Sequence, residues 1–190
     1  MEEKNAKRLA VFLPGIGYTA DKPLMYYSRK LAAAHGYETL CVSYHDLPAK
    51  TRGDRSKLML AADMAYAQAK EALQGTDLSG NVTFIGKSIG TIAAARLAET
   101  SAPKARLILY TPLEETFARP LPESIAFLGT ADPWSELRDV RRLAAERNVP
   151  LHLYLNANHS LETGDALYDI GVLREVCVLT DEFLRTGEED

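Results

Sequence analysis

The sequence predicts an α/β fold: a minimal, mainly parallel sheet of six strands with helices on both faces. Three observations predict it. Short apolar runs alternate with longer amphipathic ones along almost the whole chain. The runs in its middle, such as Val82 to Ile85, are near-continuously apolar, as strands covered on both faces must be. No repeat, low-complexity segment or linker interrupts the 190 residues, so 1–190 reads as one domain with a substantial core.

Each element has a local reason. Leu9 to Leu13 is an apolar strand ended by Pro14-Gly15. Asp21 to Ala34 reads as a helix with Asp21 as its cap and Pro23 in its first turn; Gly36 ends it. Thr39 to Tyr44 is a second strand, followed by the polar loop HDLPAKTRGDRS and a long Ala-rich helix from Lys57 to Leu73. Val82 to Ile85 is the third strand, and Thr91 to Glu99 a helix close behind it. Arg106 to Tyr110 and Ile125 to Leu128 are the fourth and fifth strands. Between them the proline-rich TPLEETFARPLPES predicts an irregular loop with at most one short helical turn. Ser135 to Arg147 is a charged amphipathic helix, Leu151 to Leu155 the sixth strand, and Tyr168 to Arg185 the closing helix. About eight residues at each end are expected to fray.

Composition narrows the function classes. Hydrophobic residues make up 46% and charged residues 25%, and the net charge of −4 advertises no nucleic-acid partner. The apolar run Leu9 to Leu13 is far too short to span a membrane, and MEEKNAKR lacks the apolar core of a signal peptide, so a cytoplasmic protein is expected. Cys41 and Cys177, one in a strand and one in a helix, are expected as buried free thiols rather than a disulfide or a metal site.

The chemistry turns on FIGKSIGT, Phe84 to Thr91. Gly86-Lys87-Ser88 resembles the end of a phosphate-binding loop, but that motif needs a glycine five positions earlier, and Asn81 stands there. Val82 to Ile85 belong in a buried strand, which leaves no residues for the loop. Gly86-Lys87-Ser88-Ile89-Gly90 is also G-x-S-x-G, a strand running straight into a minimal turn and a helix. Such an elbow holds its serine in a strained conformation, and Gly86 and Gly90 remove side chains where the flanking chain passes close. Chance gives about 0.04 such motifs in a chain of this composition.

A serine hydroxyl needs a base, and the base an orienting carboxylate, in the order Ser, acid, His. All three belong just past the C-terminal ends of strands. Of the four histidines, His35 ends a helix, His152 alternates with leucines inside a strand, and His45 precedes the serine. His159, in NANHSLE after the sixth strand, satisfies both order and position. Asp132 follows the fifth strand in GTADPW and is the candidate acid; Asp139, on the next helix, is its rival. The oxyanion needs two backbone amides. Ile89, directly after the nucleophile, is one; Ile16, in the turn Pro14-Gly15-Ile16-Gly17, is the other, with Gly17 as support.

With FLPGIG, GKSIG, FLGTADPW and NHSLE in this order, the chain resembles small bacterial α/β-hydrolases over nearly its whole length. The resemblance implies strand order 2-1-3-4-5-6, a Ser88-Asp132-His159 triad, an acyl-enzyme on a carboxylic ester or thioester, a small-molecule acyl substrate, and no cofactor or metal. Three departures stand out: Pro-Gly in the oxyanion turn where His-Gly is common, Lys87 where many members carry His, Phe or Trp, and no cap domain after the fourth strand. Lys87 is expected as a solvated or salt-bridged side chain, or as a contact for an anionic substrate. Tyr18 and Trp134, with Tyr26 and Tyr44, are candidates for the pocket wall. A peptidase or acyltransferase with the same triad and a catalytically silent binding protein are the alternatives. The oligomeric state is not legible.

Overall fold

The computed structural model describes residues 8–186. Six strands form one sheet in the order β2-β1-β3-β4-β5-β6, and all five neighbouring pairs are parallel. The strands are β1 (Arg8–Leu13), β2 (Glu38–Cys41), β3 (Asn81–Lys87), β4 (Arg106–Tyr110), β5 (Ser124–Gly129) and β6 (Leu151–Tyr154). The helices are α1 (Pro23–Ala34), α2 (Arg55–Ala72), α3 (Ile89–Ser101), α4 (Leu137–Glu146) and α5 (Ala166–Thr186). One 3₁₀ turn, Glu114–Phe117, sits in the proline-rich crossover. No cap domain is inserted among the described residues.

Strand alternation builds two apolar layers, one on each face of the sheet. Leu9, Val11 and Leu13 of β1 and Leu107 and Leu109 of β4 face one layer, covered by α2, α3 and α4. Ala10, Phe12, Ile108 and Tyr110 face the other, covered by α1 and α5. Burying one such side chain as large as Phe12 stabilises by about 1.5–3 kcal/mol. The second layer contains the Tyr110 hydroxyl and satisfies it. The Tyr110 hydroxyl bonds with Ser28 Oγ of α1 at 2.8 Å and Thr180 Oγ1 of α5 at 2.6 Å.

Several boundaries differ from the sequence reading. The α1 cap is Lys22 rather than Asp21, and no side chain caps the helix; Pro23 does open it. Asp21 instead lies 3.5 Å from Arg29. α2 starts at Arg55, where the Asp54 carboxylate accepts from the Lys57 amide. β2 stops at Cys41, before the expected Tyr44. β3 runs on through Gly86 and Lys87, and α3 begins directly at Ile89. Cys41 and Cys177 are free, but half-buried rather than buried. The expected frayed ends fall mainly outside the described residues; Arg8 and residues 183–186 belong to β1 and α5.

Close backbone approach at the elbow fixes two glycines. A Cβ on Gly90 would lie 1.9 Å from the Leu13 carbonyl oxygen, and one on Gly86 2.5 Å from that of Gly90. Gly171, inside α5, has open space around it. Gly90→Ala is therefore expected to cost more than about 4 kcal/mol, while Gly171→Ala gains about 0.5–1 kcal/mol from helix propensity. Thermal unfolding of both variants checks this; a near-native Tm for Gly90→Ala would contradict the packing described.

Candidate active site

β3 delivers Ser88 to the C-terminal edge of the sheet. Its backbone has φ +55° and ψ −122°, a conformation that L residues avoid and that the neighbouring structure must hold. Three hydrogen bonds do so. The Ser88 amide donates to the Tyr110 carbonyl at 3.0 Å, and its carbonyl accepts from the Thr91 amide at 2.9 Å and the Thr91 hydroxyl at 2.6 Å. Ser88 is nearly buried, with 6% exposure.

The acid turn after β5 and the loop after β6 are stitched together. The Thr130 amide donates to the Tyr154 carbonyl at 2.9 Å, Ala131 to Ala157 at 3.0 Å, and Asn156 to the Thr130 hydroxyl at 2.8 Å. A Cβ on Gly129 would stand 2.1 Å from the Ala157 carbonyl oxygen, so the two segments touch through bare backbone. Inside the histidine loop, the Asn158 side chain accepts from the Ser160 amide at 2.7 Å. Leu161 adopts φ +61° and plugs into the core. These residues were missed in the sequence; the one local signal was the Asn158 side chain, which favours such turns.

This scaffold brings Asp132 and His159 together. His159 Nδ1 lies 2.7 Å from Asp132 Oδ2, with the carboxylate side chain 2% and the imidazole 17% exposed. The other carboxylate oxygen accepts from the Trp134 amide at 2.9 Å. That bond closes a local turn; Glu136 precedes α4, and no side chain caps that helix. The Trp134 ring lies 5.5 Å from the imidazole, tilted 33°. Arg55 holds this region from outside, through Glu114, Glu115 and the Trp134 carbonyl. His159 Nε2 is buried and makes no hydrogen bond, so the imidazole and Ser88 are not joined in this structure. Burial lowers the His159 pKa below the ordinary histidine value; the Lys87 charge adds to this, while Asp132 works against it.

The other candidates separate. His45 is exposed beside Asp46, and His35 pairs with Asp181 at 2.8 Å. His152 stacks on Phe127, and Asp139 lies on the surface of α4 near Arg142. Gly15 packs against the elbow: a Cβ there would be 3.1 Å from Ser88 Cβ. Its turn, closed by the Tyr18 amide on the Gly15 carbonyl at 3.3 Å, presents Ile16 at the surface and Gly17 at φ +68°. The Ile89 amide opens α3 and therefore lacks a partner within the helix. Beside this turn lies an open cleft of about 490 Å³, lined by Ile16, Gly17, Val42, Tyr44 and Leu47 among others. Tyr26 sits on α1 against Tyr27, edge to face.

Lys87 corrects the sequence reading: it is neither solvated nor salt-bridged. It is 1% exposed, and its Nζ donates to Thr111 Oγ1 at 3.0 Å and sits 4.8 Å from the centre of the Tyr18 ring. Tyr18 is buried too, with its hydroxyl accepting from the Leu24 amide at 3.2 Å; burial pushes its pKa up to about 12.

The sequence matches no protein-family model and no curated protein. Solved structures do resemble it. Est1E from Butyrivibrio proteoclasticus is 12% identical with a TM-score of 0.69, covering 97% of this chain and 90% of that one. An alpha-beta serine hydrolase homologue from Coxiella burnetii is 17% identical with a TM-score of 0.63, covering 94% and 85%. An esterase from Pyrococcus furiosus is 15% identical with a TM-score of 0.62, covering 97% and 84%. At these identities the likeness is one of architecture, and together with the six-stranded parallel sheet it establishes that the chain has the α/β-hydrolase fold, in a small form without a cap domain.

Proposed function

We propose that the protein is a serine hydrolase that cleaves a carboxylic ester or thioester through an acyl-enzyme. The observation that supports this most is the 2.7 Å bond between Asp132 and His159 Nδ1, which leaves a buried, unpartnered Nε2 at the edge of the sheet that carries the strained Ser88. In this reading Nε2 takes the Ser88 proton as Oγ attacks the substrate carbonyl. The Ile89 and Ile16 amides, supported by Gly17, donate to the oxyanion. The imidazolium returns the proton to the leaving oxygen or sulfur, and water repeats the sequence on the acyl-enzyme. Asp132 keeps the proton on Nδ1 and stabilises the imidazolium.

The open cleft of about 490 Å³ on the far side of the oxyanion turn has the size of a small-molecule site, and Ser88 and His159 do not line it, so in this reading it would take only a distal part of the substrate. Trp134, against the imidazole, is the candidate wall on the other side. Among the described residues no helix is long and apolar enough to cross a membrane; a cytoplasmic location remains part of the proposal. The test is a panel of nitrophenyl esters and acyl thioesters of increasing chain length, run beside peptide amides. Turnover of esters or thioesters above the spontaneous rate is expected. Cleavage of amides alone would move the reading to a peptidase, and no turnover with any acyl compound would favour a silent binding protein.

A further inference from the structure

Among the described residues the buried basic side chains are Lys87 and Arg106. Arg106 has a carboxylate partner, Glu123, at 2.7 Å. Lys87 has none within ion-pair distance. Its amine meets one hydroxyl, that of Thr111, and the face of the Tyr18 ring. Its stem runs along the oxyanion turn, 3.7 Å from where a Gly15 Cβ would be. A buried amine so poorly compensated is a costly thing to keep next to a nucleophile, and a neutral side chain of equal length would fill the same space.

The surroundings indicate what the amine does. The charges that act on it are Asp132, from the turn after β5, and Glu162, from the loop after β6. Its charge acts in turn on His159 of that loop, and the Tyr18 ring of the turn after β1 lies 4.8 Å from its amine. Tyr110 is its partner in the β4 register, but that hydroxyl is engaged by Ser28 of α1 and Thr180 of α5. Two cationisable groups, Lys87 and His159, thus share one carboxylate neighbour, Asp132, in a largely buried site. Like charges there oppose one another.

We propose that Lys87 is a positioning residue for the base: its ammonium, fixed by Thr111 and Tyr18, opposes protonation of the His159 imidazole and keeps it free at mildly acidic pH. Burial lowers the lysine pKa to about 7, so the amine gains its charge as pH falls through neutrality. The charge then pushes the imidazole's own protonation to lower pH. The assignment rests on the reading of His159 as the base.

NMR titration of the His159 ring and the Lys87 side chain tests it in the intact chain and in Lys87→Met and Lys87→Gln. In the native protein Lys87 should be charged across the range in which His159 titrates. In either variant the His159 midpoint should rise by about half a unit or more. The acid limb of kcat/KM should move with it, about a threefold loss of rate at the low-pH end for each half unit. A His159 midpoint that stays put in a folded variant would overturn the proposal. So would a native Lys87 that stays neutral while His159 titrates, which needs no variant at all. His159→Gln scores the hydrolase reading separately: if it retains turnover, that reading fails, while the NMR result still decides the role of Lys87.

Discussion

Ser88→Ala is expected to lower ester hydrolysis by about a million-fold while leaving the protein folded. In the proposed mechanism the rate falls because the attacking oxygen is gone, and the oxyanion amides and binding alone would sustain only about 10³–10⁴ over water. The fold survives because it uses the backbone of this residue and not its hydroxyl. The bonds to Tyr110 and Thr91 run through the Ser88 amide and carbonyl. Alanine at φ +55° carries the same backbone strain as serine. An unchanged Tm with lost turnover is the expected pair of results, measured on one purified sample. Retained turnover would remove Ser88 from the mechanism.

Asp132→Asn is expected to depress kcat by about 10⁴-fold. The asparagine keeps the shape of the turn, since its side-chain carbonyl still accepts from the Trp134 amide. Its NH₂ would face Nδ1, however, and select the tautomer with the proton on Nε2, where a base must be bare. His159→Gln should remove nearly all the rate, together with the ionisation that shapes the acid limb. Because burial lowers the His159 pKa, that limb should have its midpoint below the ordinary histidine value, with kcat/KM rising through it and then levelling off. Asp139→Asn and His45→Gln serve as controls: both side chains are solvated and pair with other partners. A damaging Asp139→Asn beside a harmless Asp132→Asn, or a dead His45→Gln beside an active His159→Gln, would overturn the assignment.

The elbow was legible because it rests on local rules, whereas the sheet order β2-β1-β3-β4-β5-β6 was legible only through the resemblance to α/β-hydrolases. A β-branched run leading straight into G-x-S-x-G leaves one geometry, and the two glycines answer to carbonyls only a few residues or one strand away. The Asp132–His159 contact was legible in outline, since strand ends gather on one edge of a parallel sheet. What holds that contact was not. Gly129 looks like an ordinary turn residue until the Ala157 carbonyl is seen against it, and the two are joined only in tertiary structure. Leu161 at φ +61° has no signature in sequence at all.

Lys87 was misread for a physical reason. A lysine next to a turn is solvated by default. Ending the third strand at Ile85 placed Lys87 in that turn. The strand continues to Lys87, so period-two alternation puts its side chain on the same face as Ile85, inside the layer under α1 and α5. The Asp21 cap failed in the opposite way. Asp21 is a good capping residue placed one position too early, and the chain opened the helix at Pro23 with Lys22 before it.

The most direct test of the central claim is covalent labelling of the native protein with a fluorophosphonate, followed by proteolysis and mass mapping of the modified peptide. Only a serine activated by a neighbouring base reacts at a useful rate. The adduct is expected on Ser88, to form readily in the native chain, and to vanish in His159→Gln. An unlabelled native protein, or an adduct on any other serine, would contradict the assignment of this fold to acyl transfer at Ser88.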